Sequence, residues 1–170
     1  MREQRRSSGG LIAGVGAGVA ATMAMDAAMA LAAIVAPARF ASDKIGIDVI
    51  GRWAAGPVRG QWRHEDISAE PRRRGEVAVG VAAHYLTGIT LAETYLAAMR
   101  RTRRGPGPGT AVAYGVATAV LPLVVLYPSL GYGCCARRSG DARRLISAML
   151  LGHAAFGGGL ALWVATRRRG

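Results

Sequence analysis

The sequence predicts an all-α fold: an integral membrane bundle of four transmembrane helices, with a short interfacial helix in the first long connection. Three observations carry this expectation. Apolar residues gather into four runs, approximately 11–36, 77–99, 110–132 and 145–166, each long enough for a bilayer crossing of about 20 residues. Arginine-rich segments separate the runs. Within the runs, small residues recur every four positions, the pattern that lets helices approach closely in lipid.

The chain of 170 residues suits a single membrane domain spanning 1–170. The first run is rich in Gly and Ala. At 26 residues and with Asp26 inside it, the run exceeds the h-region of a secretory signal, so it is expected to be an uncleaved span. Residues 37–75 form the one long connection. There Ile45, Val49, Ile50 and Trp53 fall at helical spacing, which predicts a short helix along the membrane surface. Trp53 and Trp62 are placed at the headgroup level, where indole rings are favoured, with His64 on the same interfacial stretch. The Pro-Gly turn at 100–109 makes the second and third spans antiparallel neighbours. The third run holds Pro122 and Pro128, which free the carbonyls of Thr118 and Val124. A second short connection, 134–144, leads to the fourth span.

Net charge is +12, from 22 basic and 10 acidic residues. Such a balance suits nucleic acid, but the arginines cluster at the ends of apolar runs (Arg100, Arg101, Arg103, Arg104; Arg167, Arg168, Arg169) rather than striping a helix face. The lipid bilayer is therefore the expected partner, and nucleic acid is not. The N-terminus, the middle turn and the C-terminus share one side and concentrate nearly half of the 22 basic residues. The positive-inside rule then puts both termini in the cytoplasm, although Arg72, Arg73 and Arg74 pull the other way. Cys134 and Cys135 are adjacent and read as small apolar residues at a helix end.

Ionisable residues inside apolar runs need a reason, because lipid penalises their charge. Asp26 lies on a row with Gly10, Gly14, Gly18, Thr22 and Ala30. His84 lies on a row with Glu76, Gly80, Gly88 and Ala92, and His153 on one with Met149, Gly157 and Ala161. These faces are expected to turn the three groups into the bundle. At 1.5 Å rise per residue, Asp26, His84, His153 and Pro122 all fall roughly 10–15 Å from the face that bears the long connection. The expectation is one polar, hydrated intramembrane site built from Asp26, His84, His153, Thr22 and Pro122. Such a layer can lock the helices by hydrogen bonds or move protons. Alternatively, Asp26, His84 and His153 can hold zinc or iron. No motif names a cofactor. Glu93 is expected to reach the headgroups, and the stretch His64-Glu65-Asp66 to be a solvated loop.

An ordered set of short motifs comprises Ala21-Thr22, Met25-Asp26, Gly51-Arg52-Trp53, Gly60-Gln61-Trp62-Arg63-His64, Glu76 with Gly80, His84-Tyr85 and Gly88. It continues with Thr118, Pro122, Pro128, Gly131, Gly133, His153 and Phe156-Gly157. It resembles a small family of bacterial integral membrane proteins known as domain of unknown function 2938. Tyr127 departs from the polar residue expected before the second proline. The resemblance implies a four-span membrane protein and brings no reaction, substrate or cofactor; the expected location is the bacterial cytoplasmic (inner) membrane. The sequence thus predicts a multi-pass membrane protein with a polar intramembrane site for small-solute or proton-coupled transport, expected as a homodimer. The alternatives are a membrane-embedded enzyme acting on a lipid or quinone, and a structural assembly factor.

Overall fold

A computed structural model describes residues 2–102 and 107–167, with side chains from residue 13 onward. Arg103, Arg104, Arg168, Arg169 and the side chains of Arg2, Arg5 and Arg6 lie outside the described residues. Among the described residues every regular element is helical. The helices are α1 (Arg2–Val35), α2 (Pro37–Phe40), α3 (Ile47–Ala54), α4 (Glu76–Arg101), α5 (Pro108–Thr118), α6 (Tyr127–Ser129) and α7 (Ala142–Arg167).

Three helical stretches are long and apolar enough to cross a membrane: Ala13–Val35, Pro108–Ser129 and Ala142–Arg167. The expected count of four is not met on composition. The run 77–99 does form a 26-residue helix, α4, but His84, Thr87, Thr90, Glu93 and Thr94 lower its hydropathy.

The stretch Pro108–Ser129 is broken, as its prolines predict. Pro122 has no N–H to continue the ladder of α5. The chain answers with a π-helical turn over Pro122–Leu126, closed by the Tyr127 N–H on the Pro122 carbonyl. Such single wide turns mark helices that have been locally re-aimed.

Close crossings depend on absent side chains. A Cβ on Gly18 would fall 2.9 Å from the backbone nitrogen of Ile89, and one on Gly157 would fall 2.7 Å from the Cα of Val112. These contacts join α1 to α4 and α5 to α7. A Cβ on Gly159 would fall 2.7 Å from the Cα of Ala21, joining α7 to α1. α4 and α5, neighbours through the turn, meet instead through tyrosines. The Tyr114 hydroxyl donates to the Leu91 carbonyl at 2.8 Å, and the Tyr95 and Tyr114 rings meet at a tilt, with centroids 5.2 Å apart.

Two cores result. One holds Ala17, Ala21, Ala92, Tyr95, Ala111, Phe156 and Leu160. The other, toward the long connection, holds Val49, Ile67, Tyr127, Leu130, Tyr132, Ala136 and Leu145. α3 belongs to this second core. Its apolar face, expected on the membrane surface, packs on protein: Val49 is buried, and Trp53 packs on the cluster. Arg52 fixes the helix in place. Its guanidinium donates to both Glu76 oxygens, Nε–Oε1 2.8 Å and Nη2–Oε2 2.9 Å, and its Nη1 donates to the Ile67 carbonyl at 2.7 Å. The arginine and glutamate side chains are 3% and 6% exposed. The pair raises the arginine's pKa and holds the carboxyl below its ordinary value, chiefly through the shared hydrogen bonds.

Candidate functional site

Between the two cores lies a cavity of about 390 Å³. α4 contributes Ala83, His84, Thr87 and Leu91 to it. The proline-broken segment contributes Thr118, Leu121, Pro122, Val125, Leu126 and Tyr127, and α7 contributes Ala148, Met149, Gly152 and His153. Met25 and Met29 come from α1, while Ile45, Ile50 and Trp53 close the end toward the long connection. The expected hydrated pocket is thus a mainly apolar one. Its polar groups are few: two imidazoles, two threonine hydroxyls, one phenol and one indole N–H.

His153, on α7, is 8% exposed. Its Nδ1 lies 2.9 Å from Thr118 Oγ1, which itself donates to the Gly115 carbonyl at 2.6 Å. A hydroxyl has one proton, so His153 Nδ1 carries the hydrogen and its Nε2 is left as an acceptor. Thr118 thus positions the imidazole. The pairing of the Thr118 hydroxyl with His153, across 35 residues of chain, leaves no local signal in the sequence.

His84 lines the same cavity and turns its Nε2 to Asp26 Oδ1 at 2.9 Å. The Tyr85 hydroxyl donates to the other oxygen of Asp26 at 3.0 Å. Both oxygens of the carboxylate are therefore satisfied across the α1–α4 seam. Tyr85 was visible to sequence reasoning only as the neighbour of His84.

Asp26 departs from expectation. It does not point into the bundle: its side chain is 46% exposed, and it lies outside the cavity lining. The reason is helical drift. At 100° per residue, positions four apart shift by about 40°, so Asp26 is turned about 80° from Gly18, the point of closest approach to α4. His84 is the link between the outer carboxylate and the cavity. Thr22, also placed in the polar site, is buried under Gly88 and spends its hydroxyl on the Gly18 carbonyl at 2.8 Å. Pro122 lines the cavity wall.

Among the described residues, no three His, Cys, Asp or Glu side chains are grouped to hold a metal ion. Asp26, His84 and His153 therefore do not form such a group.

The interfacial assignments divide. Trp62 is 68% exposed, whereas Trp53 lines the cavity. His64 is buried, not solvated, while Glu65 and Asp66 are exposed. The His64 N–H donates to the Ser129 carbonyl at 2.8 Å, which docks this loop on the end of the third apolar segment. Its Nδ1 meets Glu70 Oε1 at 2.5 Å. Glu93 is half-buried beside Gly14, with its Oε1 shielded and unpaired among the described residues.

No curated protein and no solved structure matches the chain. The model of a family described as Protein of unknown function (DUF2938) matches residues 15–167, nearly the whole chain, and the chain belongs to that family.

Proposed function

We propose that this is a multi-pass membrane protein of four spans whose central cavity binds a lipid-soluble small molecule with a polar head, of the quinone or fatty-acyl class. The cavity carries this reading. It has the volume of a small-ligand site, an apolar wall and a few polar groups able to orient a ligand. A hydrated solute would find few groups there to replace its water, so the apolar wall favours a membrane-soluble ligand over a transported polar one.

The physical state of α4 supports its role as the fourth span. Thr87, Thr90 and Thr94 each donate to the carbonyl four residues earlier at 2.8 Å, so their hydroxyls are satisfied within the helix. Val77, Val81 and Leu86 are exposed, as lipid-facing side chains would be. In this reading His84 exchanges a proton between the ligand head and Asp26. The termini face the cytoplasm of a bacterial inner membrane, following the arginine distribution.

Trp53 supplies the test. With Trp62 and Trp163 replaced by Phe, its fluorescence in nanodiscs is titrated with a short-chain quinone and with a bromine-labelled fatty acid. Saturable quenching is expected for one of them, and Ala83→Leu, which fills the cavity, should abolish it. Quenching that rises linearly with probe for both, unaffected by Ala83→Leu, would sink the proposal.

A further inference from the structure

A second cavity, of about 630 Å³, lies at the connection end of the bundle and shares no residue with the first. Two loops make it. One carries Arg63, His64 and Glu65; the other runs from Gly131 to Arg138. The loops are held together at backbone level. Ile67 N–H donates to the Leu130 carbonyl at 3.1 Å, beside the His64–Ser129 bond. Gly131, at φ +91°, lies directly on the Glu65 backbone and leaves no room for a Cβ. Arg138 N–H donates to the Tyr132 carbonyl at 2.8 Å, and its side chain lies along Gly133.

Three arginines, Arg63, Arg137 and Arg138, line this space, and among the described residues none of them pairs with a carboxylate. Glu65 is the one opposing charge in the lining. The second, independent observation is His64. Its side chain is 1% exposed, and its Nε2 is buried with no hydrogen-bond partner. The ring's other nitrogen is committed to Glu70, so Nε2 is the free pole of an oriented imidazole. A shielded polar atom without a partner is costly, and such an atom in a native fold needs an explanation.

We propose that Arg63, His64, Arg137 and Arg138 form a binding site for a phosphate group, a phosphomonoester or phosphodiester, at the rim of the bundle. Guanidinium forks match phosphate oxygens in a bidentate way. His64, a lining residue anchored through Nδ1 to Glu70, offers its unpartnered Nε2 as one further polar atom beside the arginines. Pro128, in the wall of the site, lies at the end of the Pro108–Ser129 stretch, and the exposed indole of Trp62 is adjacent in sequence. This is the level of lipid phosphates. The phosphate can belong to a lipid headgroup or to a water-soluble molecule.

The test uses the full chain in maltoside micelles, which contain no phosphate. Binding of inorganic phosphate, dioctanoyl phosphatidylglycerol and phosphate-free dioctanoylglycerol is measured by calorimetry. At least one phosphate probe should bind saturably, and dioctanoylglycerol should not. Preference for the lipid identifies a headgroup site, and equal or tighter binding of inorganic phosphate identifies a soluble ligand. R137Q/R138Q should weaken binding at least tenfold, while R143Q/R144Q, which removes two arginines elsewhere on the surface, should leave it unchanged. Arg63→Gln, an exposed change on the facing loop, decides the matter if the double variant misfolds; it should weaken binding severalfold. Absence of binding by both phosphate probes, or equal losses in R137Q/R138Q and R143Q/R144Q, overturns the proposal.

Discussion

Arg52 and Glu76, 24 residues apart, form a two-point ion pair beneath the protein surface, with contacts of 2.8 and 2.9 Å. The pair clamps α3 across the start of α4, where Gly51 and Gly80 let the two backbones touch. Removing one partner of a buried pair strands the other, at a cost of about 3–5 kcal/mol. Arg52→Met should therefore lower the melting temperature strongly. R52M/E76L should recover much of the loss, because neither charge is then left alone. Equal melting temperatures for the single and double variants would contradict the account.

The same pair sets an acid limit. Glu76 has its folded pKa held below the ordinary 4.5 by Arg52. Its contribution is thus complete above pH 4.5 and is lost as pH falls through the lower folded value. Glu76→Gln should flatten the acid arm of a plot of melting temperature against pH and leave its shape above pH 6 unchanged.

Gly157 and Gly158 are neighbours with opposite surroundings. A Cβ at Gly157 would press on α5, whereas a Cβ at Gly158 meets nothing within 4 Å. Gly157→Ala should destabilise by about 1–3 kcal/mol through overpacking. Gly158→Ala should be neutral, or stabilise by up to about 1 kcal/mol, because it only restricts the unfolded chain. Thermal melts of the two single variants check this directly.

Thr118→Val removes the acceptor for His153 Nδ1–H and leaves that group buried and unpaired, at about 1–3 kcal/mol. The variant should also weaken Trp53 quenching by the cavity ligand, since the imidazole loses its orientation. Loss of stability with unchanged quenching would assign Thr118 to packing alone.

Asp26→Asn keeps the shape of the seam and removes its charge. Interhelical hydrogen bonds in membranes average about 0.6 kcal/mol and reach about 1.7, so the variant should stay folded. If Asp26 orients His84 toward the cavity ligand, ligand binding read from Trp53 should weaken in this variant. Binding identical to that of the parent chain would remove Asp26 from the site.

The helical class, the approximate ends of the long helices and the break at Pro122 were legible in the sequence. Each depends on local spacing: apolar runs, small residues four apart, a proline without its N–H. The tertiary structure decided which helix each face meets, and how far along the helix the meeting lasts. It turned Asp26 to the outside, because a four-residue row winds away from the contact that Gly18 makes. It turned Thr22 onto its own carbonyl and drew His64 under the end of the third apolar segment. It also joined Arg52 to Glu76 and Thr118 to His153, across 24 and 35 residues of chain. Such pairings carry no periodic signal. They follow from crossing angles and from where two packed cores part to leave a cavity, which only the assembled helices determine.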